Sequence, residues 1–222
     1  MRVLAVTGLR AEARIAAQAG LVPVCAGGAP ERTATALEAA LSERADGIVS
    51  FGIAGGLAPD LPPGTLVLAD AVLGEDGARW ATTPEWRSAL RRLPAAGEGD
   101  VFGATTALAT TAAKAAVHRR TGAVATDLES AVAARLAGRA RLPFLVLRAI
   151  ADPAERDLPQ AALLPLSPDG TPDLPRILAS VLGDLRQVPA LLRLARDARS
   201  ALRALADAAP VLGAAVPPSG RQ

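Results

Sequence analysis

The chain has 222 residues, of which 50% are hydrophobic and 21% charged, enough apolar material for one sizeable core and too little charge for a disordered polymer. Its 24 Lys+Arg against 22 Asp+Glu leave a net charge of +2, without the basic excess expected of a dedicated nucleic-acid binder. A single cysteine, Cys25, and a single histidine, His118, exclude an intrachain disulfide and a four-ligand structural zinc site.

The start, Met1 to Gly8, is too short an apolar stretch for a signal peptide and meets Arg10, Glu12 and Arg14 at once. No segment offers about 18 apolar residues free of charge, so no span is expected. These features predict a cytoplasmic protein with one domain over residues 1–222.

Val3 to Val6 reads as a strand ended by Thr7-Gly8, followed by a helical pattern through Ala11, Ile15 and Ala19 that stops at Gly20. Leu21 to Cys25 reads as a second strand and Pro30 to Arg44 as a helix with proline in its first turn. Gly47 to Phe51 reads as a buried strand ending in a glycine-rich loop, Gly52 to Leu57. Beyond Pro62-Pro63-Gly64 come a strand (65–73), a helix (84–93), a helix (107–120), a short strand (123–125) and a helix (127–137). Pro143 to Ile150 then reads as a fully apolar strand ending at Ala151-Asp152-Pro153. Leu158 to Pro175, with five prolines, reads as a loop or lid, and residues 217–222 as a frayed tail. Strands alternating with helices predict an α/β fold in three layers, a mostly parallel mixed sheet covered by helices.

In such a sheet ligands gather beyond the carboxyl ends of the strands. Glu12, Asp127, Glu129 and Asp152 all fall at such ends, from distant segments. On spacing alone Glu12 and Asp127 read equally as first-turn acids favoured by the helix dipole, and Asp152 before proline as a turn former. Gly52-Ile-Ala-Gly-Gly lets a backbone approach a ligand, yet it is neither a P-loop nor a dinucleotide fingerprint. His118, followed by Arg119 and Arg120 on a helix surface, reads as non-catalytic, and Lys114 as the sole lysine reads as a compositional habit.

Val6-Thr-Gly-Leu-Arg-Ala-Glu12, Val49-Ser-Phe-Gly-Ile-Ala-Gly-Gly-Leu57, Thr126-Asp-Leu-Glu-Ser130 and Leu147-Arg-Ala-Ile-Ala-Asp152, in that order, resemble the purine nucleoside phosphorylases and the methylthioadenosine/S-adenosylhomocysteine nucleosidases that share their fold. Gly122 to Ser130, Ala151 to Ala154 and the tail from Leu174 are most similar to the hopanoid-biosynthesis-associated phosphorylases. The resemblance implies cleavage of a purine N-glycosidic bond, with adenosylhopane as the substrate that this subgroup suggests. It implies Asp152 as the general acid toward the base, Glu129 on the ribose hydroxyls and Glu12 orienting an attacking water. Leu128 stands where the family has methionine against the sugar, and Asp127, Phe51, Gly55, Gly56, Thr105 and Thr106 complete the implied substrate-binding set.

The attacking group stays open between water and phosphate. Arg10 with Gly8 matches the phosphorylase version of its segment and would hold a phosphate co-substrate. Ser50, where hexameric phosphorylases carry an arginine, tilts the reading toward water. No cofactor and no metal are expected.

Gly103-Ala-Thr-Thr106 replaces a stretch that brings an aromatic ring in nucleosidases, so binding energy is expected from elsewhere on the substrate. The C-terminal helix, about 187–207, carries Arg193, Arg196, Arg199 and Arg203 largely apart from its leucines. It reads either as a helix packed on the domain with a solvated arginine face or as a peripheral membrane contact on the inner leaflet. The partners expected are a lipid-linked purine nucleoside and a second copy of the chain. Two alternatives are a soluble methylthioadenosine/S-adenosylhomocysteine nucleosidase or purine nucleoside phosphorylase, and a non-catalytic nucleotide-binding protein.

Overall fold

The computed structural model describes residues 2–93 and 96–216. Strand β1 (Val3–Thr7) leads into α1 (Arg10–Gln18), and β2 (Val22–Cys25) into α2 (Pro30–Leu41). Strands β3 (Gly47–Gly56), β4 (Leu66–Gly74) and β5 (Arg79–Ala81) precede α3 (Pro84–Leu90). Next come β6 (Ala96–Gly103), α4 (Thr111–Thr121), β7 (Ala125–Asp127), α5 (Ser130–Ala140) and β8 (Phe144–Asp152). A 3-10 turn (Gln160–Leu163), α6 (Leu174–Gly183), a second 3-10 turn (Leu185–Gln187) and the long α7 (Val188–Ala215) complete the chain. The expected tail at 217–222 lies outside the described residues.

The sheet is mixed, as expected. β1–β2, β1–β3, β3–β8, β4–β6 and β6–β7 pair in parallel, and β3–β7, β4–β5 and β4–β8 antiparallel. β3 pairs with both β7 and β8, and β4 with both β6 and β8, so β3-β7-β6-β4-β8 closes on itself as a ring. Closure leaves those five strands without a free edge.

Alternation along β8 divides the core. Leu145, Leu147, Ala149 and Ala151 join Phe51 and the inner face of α7 (Ala201, Leu205, Ala208, Leu212), whereas Phe144, Val146 and Ile150 join α2 and α5. That period of two follows from the pleat.

Several elements differ from the sequence reading. Strand β3 runs through the glycines to Gly56, because Ile53 to Gly55 keep pairing with β8 and Gly55-Gly56 with β7. Strand β6 is an addition: Ala96-Gly-Glu-Gly-Asp has little strand propensity, and its pairing with β4 and β7 overrides that. The helix expected at 127–137 begins only at Ser130, since Asp127 still belongs to β7. Strand β8 is not fully apolar, because it buries Arg148. Helix α7 extends to Ala215, past Pro210, held by its buried inner face.

Candidate functional site

Glu12 sits in the first turn of α1, where its carboxylate caps the helix. It accepts from the Gly8 and Leu9 N–H groups at 3.0 and 2.8 Å and, across the sheet, from Ile53 N–H at 2.7 Å. Asp127, at the end of β7, accepts from the N–H groups of Glu129 and Ser130 at 3.0 and 2.7 Å and so starts α5. Both acids therefore do perform the capping that their spacing alone allowed, and both also face a buried cation.

That cation is Arg148, 1% exposed in the middle of β8. Its Nε lies 2.7 Å from Asp127 Oδ2, a close ion contact without hydrogen-bond alignment. Its Nη2 reaches Ser50 Oγ at 2.6 Å and Glu129 Oε2 at 3.1 Å. Alternation explains the partnership: Arg148 shares strand parity with Val146 and Ile150, toward α5, whose first residue, Ser130, lies 2.9 Å from Ser50 Oγ. Gly52 has no room for a side chain, as a Cβ there would come 2.7 Å from both Arg148 Nη1 and the Glu12 carboxyl. A Cβ at Gly8 would likewise meet Glu129 Oε1 at 2.4 Å.

Burial dominates the titration of these acids. It pushes Glu12 upward against the opposing pull of Arg148 and three backbone N–H groups. Glu129 is pushed up to about 7 by burial, with Asp127 and Glu12 adding to the rise and Arg148 opposing it. A buried carboxyl titrating near neutrality is a candidate functional group.

Asp152 ends β8 beside a register shift, in which Ala54 pairs with Ile150 but Gly55 with Asp152, and such irregularities re-aim a strand end. Its Oδ2 lies 2.6 Å from Nζ of Lys114, which is fully buried on α4 and also donates to the carbonyls of Pro153 and Arg156 at 2.9 and 2.8 Å. Burial raises the pKa of Asp152, and the hydrogen bond and charge of Lys114 partly offset the rise. Asp152 opens onto a cavity of about 420 Å³, walled by Pro153, Arg156 and Leu158 on one side and Ala190, Arg193 and Leu194 of α7 on the other. Gly55 pairs with Thr126 on β7 and with Asp152 on β8, which sets the two acidic centres on either side of one glycine.

The remaining expected residues divide. Leu128 is half-buried beside Glu129, near Gly28 and Leu166. Gly56 backs the Asp152-Pro153 turn, with space for no more than tight contact. Phe51 is fully buried in the α7-side core, one residue out of phase with Ser50. Thr105 and Thr106 are exposed beyond β6, and Thr105 donates to Glu75 at 2.9 Å through its N–H. Arg10 is half-exposed and paired with Asp169 at 3.4 Å, while its N–H donates to Gly170. Asp169 and Gly170, within the 158–175 segment, thus lie against Arg10. His118 Nδ1 lies 2.8 Å from the Ala123 carbonyl, a local structural bond.

Two residues escaped the sequence reading. Arg148 is the lone charge in an otherwise apolar run, and Lys114 the lone lysine among 24 cations. Each is visible as an exception to its surroundings, and each proves to be the buried partner of acids.

The sheet is mixed, five of its strands close into a ring, helices cover both faces, and acids stand at or just beyond its strand ends. The chain belongs to the phosphorylase superfamily, whose family model matches residues 11–164. No curated protein matches the chain significantly. Among solved structures it is similar to the methylthioadenosine/S-adenosylhomocysteine nucleosidase of Streptococcus pneumoniae bound to a transition-state inhibitor, with 15% identity, TM-score 0.66, and coverage of 96% of this chain and 100% of that one. The Neisseria meningitidis nucleosidase in complex with methylthio-immucillin-A gives 18% identity, TM-score 0.66, and coverage of 95% and 99%. At these identities the likeness establishes a common fold.

Proposed function

We propose that this protein hydrolyses the N-glycosidic bond of an adenine nucleoside. The observation that carries the reading is the convergence of Glu12, Asp127 and Glu129 on one buried arginine, with Asp152 at the end of the same strand. Asp152 gives its proton to N7 of the base, so that the C1′–N9 electron pair leaves on a neutral adenine. Glu129 holds the ribose hydroxyls, and its carboxylate favours the positive charge that builds at C1′. Glu12 takes a proton from the water that attacks C1′, and the sugar leaves with a hydroxyl there.

Water is favoured over phosphate because three carboxyl groups already surround Arg148, and Arg10 is engaged by Asp169. An anion brought to this cluster would meet acids before it met a cation able to receive it. Within this class we infer a nucleoside whose 5′ carbon bears a large apolar body, of the adenosylhopane kind. The resemblance of residues 122–130 and 151–154 supports it. The second reading is a methylthioadenosine/S-adenosylhomocysteine nucleosidase, which the shared fold favours equally. Adenine release from adenosylhopane and from methylthioadenosine, compared by kcat/KM, separates the two. Preference for methylthioadenosine would overturn the lipidic assignment, and no release from either would overturn the glycosidase.

A further inference from the structure

Helix α6 and the outward face of α7 form a surface that the packing of this chain leaves uncovered. Helix α6 has ten residues, none of them buried, and it packs chiefly on the two 3-10 turns that flank it. Leu174, Leu178 and Leu182 recur every fourth residue along one side and are 65%, 61% and 77% exposed. Leu185 in the following turn and Leu192 at the start of α7 are exposed too, at 65% and 55%. A helix this short is marginal in water without an apolar face to bury, and an exposed patch of large leucines marks a contact surface.

The charge around the strip identifies the occupant. From Asp173, which caps α6, to Asp207 on α7 there are six arginines against four aspartates, a net +2. On α7 the buried residues Ala201, Leu205, Ala208 and Leu212 define the inner face, and helical spacing puts Leu192, Arg196, Arg199 and Arg203 opposite it. All four are exposed, and among the described residues these three arginines pair with no carboxylate. A two-fold contact with a second copy would lay this basic face against itself. An anionic surface with an apolar interior meets both features at once.

We propose that α6, the turn after it and the outward face of α7 dock the protein on an anionic lipid bilayer, leucines in the acyl boundary and arginines at the headgroups. The α7 segment that carries Leu192 also supplies Ala190, Arg193 and Leu194 to the wall of the cavity beside Asp152. Docking by this face therefore sets the cavity mouth near the lipid surface, where a nucleoside with a membrane-embedded body would present its polar end. The inference deepens the lipid-linked reading of the site and rests on it.

The test is flotation of the full chain with phosphatidylcholine vesicles, with and without phosphatidylglycerol. The wild type is expected to bind only the anionic vesicles and to be released by salt. The double variant Leu178→Ser, Leu182→Ser keeps every charge and should bind at least about tenfold more weakly. The triple variant Arg196→Gln, Arg199→Gln, Arg203→Gln should bind on the order of a hundredfold more weakly. These side chains are exposed, so unchanged thermal melting is expected and confirms folding. Equal binding by wild type and the leucine variant, or no vesicle binding at all, would overturn the proposal. So would a dimer in solution that the leucine variant converts to a monomer without vesicle binding by either protein. Binding is measured without any substrate, so a failure of the glycosidase reading leaves this result unaffected.

Discussion

Two buried cations, Arg148 and Lys114, hold the acids at the two ends of the site, and they do so in opposite ways. Arg148 is shared by three carboxyl groups, and its guanidinium stays charged at any pH the protein meets. Lys114 is matched to one, Asp152, and spends its other two donors on backbone carbonyls. The first arrangement leaves an excess of acid, suited to orienting water and to favouring a positive sugar. The second leaves a single carboxyl whose proton affinity is set between burial and one ammonium, suited to giving up a proton. The difference is one of stoichiometry, and substitutions can disturb it on one side at a time.

The largest effect is expected from Asp152→Asn, which keeps the size and the contact with Lys114 but has no proton to give. Turnover should fall by about 10² to 10⁴, and the melting temperature should fall as well, because Lys114 stays buried without its counter-charge. A folded variant with near-normal turnover would remove Asp152 from the chemistry.

On the other side, Glu129→Gln should lower kcat by about 10- to 100-fold, the worth of a hydrogen bond to a charged group, with a smaller change in KM. A change confined to KM would make Glu129 a ground-state contact. The same residue sets a pH dependence of stability. Its pKa rises from 4.5 unfolded to about 7 folded, so the folded protein binds this proton more tightly. The resulting stabilisation is complete below about pH 4.5 and is lost as pH rises through about 7. Thermal melts across that window should show stability falling with pH in the wild type and a flatter curve in Glu129→Gln.

Much of the fold and of the candidate site is legible in the amino-acid sequence alone. Glu12, Glu129 and Asp152 stand at strand and helix ends, where chain order and turn chemistry make them visible as candidates. Arg148 and Lys114 are not legible as partners, because their significance lies in what they meet across 18 to 136 positions of sequence, and periodicity reports only near neighbours. The burial of Phe51 is not legible from the resemblance that names it: the pleat turns it into the α7-side core, away from Ser50 and Arg148. Strand β6 is hidden since pairing with β4, and with β7 from Val101 onward, makes it a strand despite the low propensity of Gly97 and Gly99. The leucines of α6 carry a clear period, yet the loop reading of 158–175 overlaps only the start of that helix and the sequence reading assigns no element to the rest.

A subtler effect is expected from Lys114→Gln. Loss of the ammonium removes the influence that offsets the burial of Asp152, so its carboxyl should stay protonated to higher pH. The alkaline limb of kcat should move upward, and a merely structural role for Lys114 would lower turnover at every pH without moving the limb. The smallest effect is expected from Thr105→Ala: its side chain bonds to Glu75 on the surface, and turnover should stay within about twofold, in line with a loss of under about 0.5 kcal/mol.

The measurement that bears most directly on the excess of acid around Arg148 is the identity of the group that arrives at C1′. Turnover of an adenine nucleoside that the protein accepts, in ¹⁸O-labelled water with and without phosphate, is read by mass spectrometry of the sugar product. Hydrolysis predicts one ¹⁸O in the free sugar, the same rate in both buffers, and loss of the product in Glu12→Gln. An unlabelled sugar 1-phosphate, formed only when phosphate is present, would contradict it and would assign the cluster to holding an anion.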